Sequence, residues 1–271
     1  MKDLLIKTSI RKPRDWQLPV LACKAVGGNL DQSISAAASL ACLQLSIILI
    51  DDMLDGNPRG FHNVIGIPGS ANLSLALFTT GLDLITRSHA EDRILFLTVC
   101  KFNWMMATTA MGQYLDVRGP AGEDDYWHIV RMKSSPFFGA ALYVGALMGG
   151  ADLVVASQLE KFGHLYGEMI QIHDDLTDTM ATPANSDWIS GRASLPILYA
   201  QIVDHTDKAL FHELRQSIHD PDALIEAQTI LIRCGAVSYC IDQLLRRYHI
   251  AKKLLEATSL ISPELLEGLL E

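Results

Sequence analysis

Twice in this chain an apolar run ends abruptly in three carboxylates, and the second run repeats the spacing of the first. Ser46–Asp55 reads Ser-Ile-Ile-Leu-Ile-Asp-Asp-Met-Leu-Asp, and Gly167–Asp178 reads Gly-Glu-Met-Ile-Gln-Ile-His-Asp-Asp-Leu-Thr-Asp. Asp51 and Asp55 are four apart, as are Asp174 and Asp178, so on a helix each pair shares one face. Like charges at that spacing destabilise an isolated helix. Burying the apolar runs draws these charges to the edge of a core, where an unpaired charge is costly. The chain must therefore fold so that something positive meets both sets. A hard divalent cation with oxygen ligands, above all Mg2+, has the matching chemistry.

Around these segments the apolar residues recur at helical spacing and strand-like alternation is rare, so the chain reads as all-α. The expected helices are Leu18–Val26, Asp31–Leu54 with Asp31 as N-cap, Ser70–Ser88, Ala90–Val117, Glu123–Lys133, Phe137–Gly149 and Asp152–Asp178. After a loop at Pro183–Ser190 come Leu195–Thr206, Lys208–Ser217, Pro221–Cys234, Val237–Thr258 and Pro263–Leu270. Glycine and proline breaks at Gly56–Gly60 and Gly119–Gly122 punctuate the pattern. No linker or composition shift divides residues 1–271, which read as one helical domain. Two helices with carboxylates at their C-terminal ends can face each other across a bundle cavity and share ions, and the partial negative charge of helix C-termini favours cations there. Because Mg2+ keeps water and completes its shell with substrate phosphates, a phosphorylated substrate is implied.

Composition narrows the function classes. With 49% hydrophobic and 20% charged residues the chain is globular rather than disordered. Its net charge of −9 and the lack of a long basic cluster argue against nucleic acid. The five cysteines are scattered with no Cys-x-x-Cys, as expected of reduced thiols in a cytoplasmic protein. The start of the chain does not read as a signal peptide. The apolar segments Ala36–Ile50 and Phe137–Ala151 are too short to cross a bilayer, so no membrane span is expected.

The ordered motifs resemble those of the trans-isoprenyl diphosphate synthases, the head-to-tail polyprenyl synthases. Asp51-Asp-Met-Leu-Asp55 matches the first aspartate-rich motif, and Gly112-Gln113-Tyr114-Leu115-Asp116 a Gly-Gln-x-Leu-Asp element. Lys133-Ser134 stands for Lys-Thr, Gln171 to Asp178 for the second motif with its preceding Gln, and Gly191-Arg192-Ala193-Ser194-Leu195-Pro196 for Gly-Lys-x-Thr-Leu-Pro. The match runs in order from about Val20 to Ala200. It implies the isoprenoid synthase fold, a single large helical bundle around a central cavity. It also implies about three Mg2+ ions on an allylic diphosphate, with isopentenyl diphosphate as second substrate. Asp51, Asp55 and Asp174 would be the principal ligands, with Asp52, Asp175 and Asp178 acting through water or as supporting partners. Lys133, Arg59 and Arg192 would meet the phosphates, with Ser134 and Gln171 nearby. The family's Gly-Gly-Lys-Arg-x-Arg-Pro, which grips isopentenyl diphosphate, is absent; Lys12 and Arg14 stand at the corresponding place. The Arg-Arg-Gly after the first motif is reduced to Arg59-Gly60. Two other readings fit the same motifs: a class I terpene cyclase or a prenyltransferase with a non-isopentenyl acceptor such as a peptide, and a non-catalytic subunit of a heteromeric synthase.

The resemblance also bears on product length and assembly. The allylic tail should run beside the helix that ends in Asp51, past Ile47, Ser46 and Leu43, which lie four, five and eight residues back. None is aromatic, so the tail should reach Leu43 and, from the next helix, Phe78, giving a product of about twenty carbons or more, at roughly one isoprene unit per 5.4 Å turn. The Ala- and Met-rich stretch Lys101–Val117 and the family's habit give the expectation of a homodimer.

Overall fold

The computed structural model describes residues 15–271, apart from the side chains of Ser186 and Ser190. Lys12 and Arg14 lie outside the described residues. Every regular element among the described residues is helical. One of two 3-10 turns, Asp15–Gln17 (the other is Arg215–Ser217), leads into α1 (Leu18–Ala25), α2 (Leu30–Leu54), α3 (His62–Thr86) and α4 (Asp92–Asp116). Then come α5 (Glu123–Lys133), α6 (Ser135–Met148), α7 (Leu153–Thr179), α8 (Ser186–Ser190), α9 (Leu195–Ile202), α10 (Lys208–Leu214), α11 (Pro221–Arg233), α12 (Ala236–Glu256) and α13 (Glu264–Glu267).

Three boundaries differ from the sequence pattern for local reasons. Asn29, not Asp31, caps α2: its side chain accepts from the Gln32 N–H at 3.2 Å, and Gln32 Oε1 accepts from the Asn29 N–H at 2.8 Å. α3 starts earlier than expected, as a short helical piece that continues across a break at Gly66 (φ 77°) and into Pro68. The expected loop at residues 183–190 contains α8, capped by the Asn185 side chain on the Trp188 N–H.

The bundle is built around α6, which is buried along its whole length. It packs against α1, α2, α4, α5 and α7. Its close approach to α7 depends on Gly163, where a Cβ would lie 2.5 Å from the Phe138 carbonyl oxygen. Leu40, Leu43, Phe102, Met105, Leu142 and Phe162 fill the interior, each contributing roughly 1.5–3 kcal/mol on burial. A second cluster of Trp188, Ile197, Phe211, Ile230 and Leu231 forms beyond the end of α7. Trp188 Nε1 donates to the Thr179 carbonyl at 2.9 Å, which pins α8 to the last turn of α7.

α2, α3 and α4, each of 25 residues, are long and apolar enough to cross a membrane by length and composition, contrary to the shorter segments expected. α2 spends that character on the core, and its last turn carries Asp51 and Asp52. α3 and α4 bury less, and Leu75 (62%), Phe96 (69%) and Met111 (51%) stay exposed on them.

Candidate active site

The two aspartate segments end at the same cavity, of about 890 Å³. The last turns of α2 supply Ile47, Ile48, Asp51, Asp52 and Asp55. α7 supplies Gln171, Asp174, Asp175 and Asp178, and the end of α4 supplies Gln113 and Asp116. Lys133 and Ser134 stand between α5 and α6, and Asp187 and Arg192 come from α8 and the loop after it. Ile129, Val130, Phe137, Phe138 and Ile170 give the cavity an apolar part. A close approach sets the geometry between α4 and α5. A Cβ on Gly112 would lie 2.3 Å from the Lys133 backbone nitrogen, so only glycine lets the two helices meet there.

Cations and amides hold the carboxylates. Gln113 Nε2 donates to Asp51 Oδ1 at 2.6 Å, and Lys133 Nζ lies 3.3 Å from the same oxygen. Lys133 also donates to Asp116 Oδ2 at 2.5 Å. Arg192 Nη1 donates to Asp55 Oδ1 at 2.7 Å and lies 3.6 Å from Asp116 Oδ2. Asn57 Nδ2 donates to Asp52 Oδ1 at 2.6 Å. Burial alone would lower the pKa of the Lys133 ammonium, but Asp51, Asp116 and Asp55 outweigh it and raise it, so Lys133 stays charged. The same balance, with Asp55 the main carboxylate, raises Arg192. Burial pushes the Asp187 carboxyl up, opposed by Arg192 and reinforced by Asp116 and Asp178.

Asp175 differs from its neighbours. Its Oδ2 accepts from the Tyr126 hydroxyl at 2.8 Å and from the Leu195 N–H at 2.7 Å, and its Oδ1 accepts from Gln171 Nε2 at 2.7 Å. Ser134 Oγ in turn donates to Gln171 Oε1 at 2.6 Å. Burial raises the Asp175 pKa to about 6 despite the three donors. The sequence reading gives Asp175 a supporting place, through water or a partner, and here both its oxygens are engaged by protein donors; the residue after Asp174 is rotated about 100° around the helix.

The residues of the expected tail path do not share one surface. Ile47 lines the cavity, but Ser46, Leu43 and Phe78 are not among its lining residues. Ser46 Oγ is 2.9 Å from Ser74 Oγ, which also donates to the Ser46 carbonyl at 3.1 Å, so Ser46 is buried between α2 and α3. Leu43 is fully buried in the core, with Phe78 packed against that cluster. The cavity-facing stripe of α2 runs instead through Gln44, Ile47, Ile48 and Asp51. Arg59 is exposed at the cavity edge. His173 is exposed, its Nδ1 3.6 Å from Asp174 Oδ1.

Among the described residues, no group of three or more His, Cys, Asp or Glu side chains encloses an ion by itself. The donor set nonetheless fits Mg2+. The groups facing the cavity are carboxylate oxygens from two helix ends, and such an ion takes one or two carboxylates plus waters and phosphate oxygens rather than an all-protein cage. Asp51, Asp52, Asp55, Asp174 and Asp178 are the residues that would hold it.

Comparison with known proteins agrees with this architecture. The family model described as polyprenyl synthetase matches residues 16–231. The chain is 26% identical over 253 residues to a geranylgeranyl pyrophosphate synthase of Geoglobus acetivorans, covering 88% of this chain and 78% of that one. It is 26% identical over 235 residues to a geranylgeranyl diphosphate synthase of Methanosarcina mazei, covering 81% and 71%. In fold it resembles the crystal structure of geranylgeranyl pyrophosphate synthetase from Pyrococcus horikoshii, with a TM-score of 0.86 at 19% identity over 98% of this chain and 88% of that one. The chain belongs to the polyprenyl synthetase family. It is an enzyme of the trans-prenyltransferase class with the all-α isoprenoid synthase fold.

The Asp175 network gives a test. Tyr126→Phe removes one donor from a buried carboxylate and is expected to lower unfolding free energy by about 1–3 kcal/mol. Urea denaturation checks this; an unchanged midpoint would mean that the hydroxyl does not support α7.

Proposed function

We propose that this enzyme ionises an allylic diphosphate and extends it with isopentenyl diphosphate to products of about twenty carbons or more. The observation that carries this reading is the pair of carboxylate sets facing one apolar-walled cavity. The names of the two relatives, both geranylgeranyl synthases, support the product class. Bound Mg2+ would supply Lewis-acid neutralisation of the diphosphate, which turns it into a leaving group. Lys133 and Arg192, held charged at the carboxylates, are placed to meet the departing phosphate oxygens. Ile47, Ile48, Phe137, Phe138 and Ile170 exclude water from the allylic cation, and the aromatic faces favour positive charge. The alkene of isopentenyl diphosphate attacks that cation, forming the new carbon–carbon bond, and loss of a proton restores the double bond.

One observation favours a second reading. The described cavity lining carries nine carboxylates (Asp15, Asp51, Asp52, Asp55, Asp116, Asp174, Asp175, Asp178, Asp187) against three cations (Arg59, Lys133, Arg192). Two of those cations already bridge carboxylates. Among the described residues, which do not include Lys12 and Arg14, a second diphosphate finds little positive charge there, which suits an acceptor without one: a peptide nucleophile, or the substrate's own double bond in a cyclase.

Incubation with Mg2+ and farnesyl diphosphate, with and without isopentenyl diphosphate, separates the two. Products of about twenty carbons or more, formed only with isopentenyl diphosphate, are expected; a hydrocarbon or alcohol formed equally without it would favour the second reading. In the same assay Ile47→Phe is expected to shorten the products. Ser46→Phe, which crowds Ser74 rather than the cavity, is expected to lower stability with lengths unchanged. Shortening by Ser46→Phe but not by Ile47→Phe would overturn this placement of the tail.

The exposed apolar side chains of α3 and α4 support a homodimer in which a second copy covers Leu75, Phe96 and Met111. Light scattering at micromolar concentration is expected to give twice the chain mass of 29.8 kDa; a monomer mass would refute it.

A further inference from the structure

The Arg192–Asp55 contact joins residues 137 positions apart across the mouth of the cavity. Arg192 follows Gly191, whose left-handed backbone (φ 74°) ends α8 and turns the chain back toward α2. Its guanidinium lies against Asp55 and near Asp116, and the bridged side chains of Arg192 and Asp55 are only 19% and 24% exposed. Asp187 from the same short segment adds to the acidic surroundings. The arginine supplies positive charge to these carboxylates.

We propose that Arg192 is a latch that holds the place of a metal ion at Asp55 and is expelled when the ion binds, so that metal loading frees it for the diphosphate. The proposal rests on the reading of this cavity as a metal-dependent diphosphate site. A divalent ion on the Asp55 carboxylate and a guanidinium nitrogen 2.7 Å from the same group repel each other at short range in a partly buried setting. The ion and the arginine therefore compete. Once displaced, the planar fork of Arg192 can pair with two phosphate oxygens, a geometry that suits guanidinium better than ammonium. Lys133 makes a parallel pair of contacts, to Asp116 at 2.5 Å and to Asp51 at 3.3 Å, but its ammonium lacks the planar fork. Competition at Asp55 and capture of phosphate by the same side chain couple the two ligands, and by linkage each strengthens the binding of the other.

A static bridge that merely orders the site makes the opposite forecast, because its loss would loosen the carboxylates and weaken the ion. The test is titration of Mn2+ into the wild-type chain, Arg192→Gln and Arg192→Lys, followed by electron paramagnetic resonance. Each titration is run without and then with inorganic diphosphate. Without diphosphate, Arg192→Gln is expected to bind Mn2+ about three- to tenfold tighter than wild type, the share of a partly buried ion pair. With Mn2+ present, the same variant is expected to bind diphosphate at least about tenfold more weakly. Arg192→Lys should stay within about twofold of wild type for Mn2+ alone. Equal or weaker Mn2+ binding by Arg192→Gln overturns the latch while leaving the metal site standing. Absence of Mn2+ binding from every form overturns both the latch and the proposed function. A crystal of the wild-type chain soaked in Mn2+ needs no substitution. The ion on Asp55 with Arg192 moved out of hydrogen-bond range is expected, and the ion bound with the 2.7 Å contact retained overturns the proposal.

Discussion

Mutual repulsion among carboxylates at two helix ends is the constraint on which this structure depends. The apolar halves of α2 and α7 are drawn into the bundle by burial, and they bring Asp51, Asp55, Asp174 and Asp178 to one cavity whether or not the charges are satisfied. The fold answers with positive and polar groups from two other helices and from two loops. Gln113 and Lys133 reach Asp51, Arg192 reaches Asp55, and Asn57 reaches Asp52. Each of these partners comes from a different segment, so the electrostatics of the site also fixes how the helix ends assemble.

Packing makes that answer geometrically available. Gly112 brings the end of α4 against Lys133, so that Gln113 and Asp116 face the same cavity as the lysine. Asp175 performs the corresponding task for α7. Its carboxylate accepts from the N-terminus of α9 at Leu195 and from Tyr126 on α5, and the Leu195 N–H is an orphan donor of a helix start that a buried anion satisfies well. All three carboxylates of the second motif line the cavity, and Asp175 in addition secures the helix.

Much of this was legible in the sequence because apolar periodicity and motif order are local signals. The helices carrying the two aspartate sets were read within a residue or two, and Lys133, Ser134, Gln171 and Arg192 do gather with them. Rotation about the helix axis is not a local signal. Residues 46 and 47 differ by about 100°, and only the position of α3 decides that Ser46 turns to Ser74 while Ile47 faces the cavity. The same step separates Asp174 from Asp175, which spacing alone treats alike. Asp187 was missed because α8 has five residues inside a stretch with loop composition. Gln113 and Asp116 stood in a recognisable element, and their bonds to Asp51 and Lys133 depend on the contact at Gly112.

With both motifs facing one cavity, their carboxylates are expected to act together on one diphosphate. Single-turnover release of diphosphate from farnesyl diphosphate with Mg2+, measured for Asp51→Asn and Asp174→Asn beside wild type, tests it most directly. Both changes keep the side-chain shape and remove one charge from opposite sides of the cavity. Each variant is expected to slow release by about a hundredfold or more, as loss of a single preorganised electrostatic group commonly does, with the thermal midpoint retained. Release within a few-fold of wild type in either variant would contradict it.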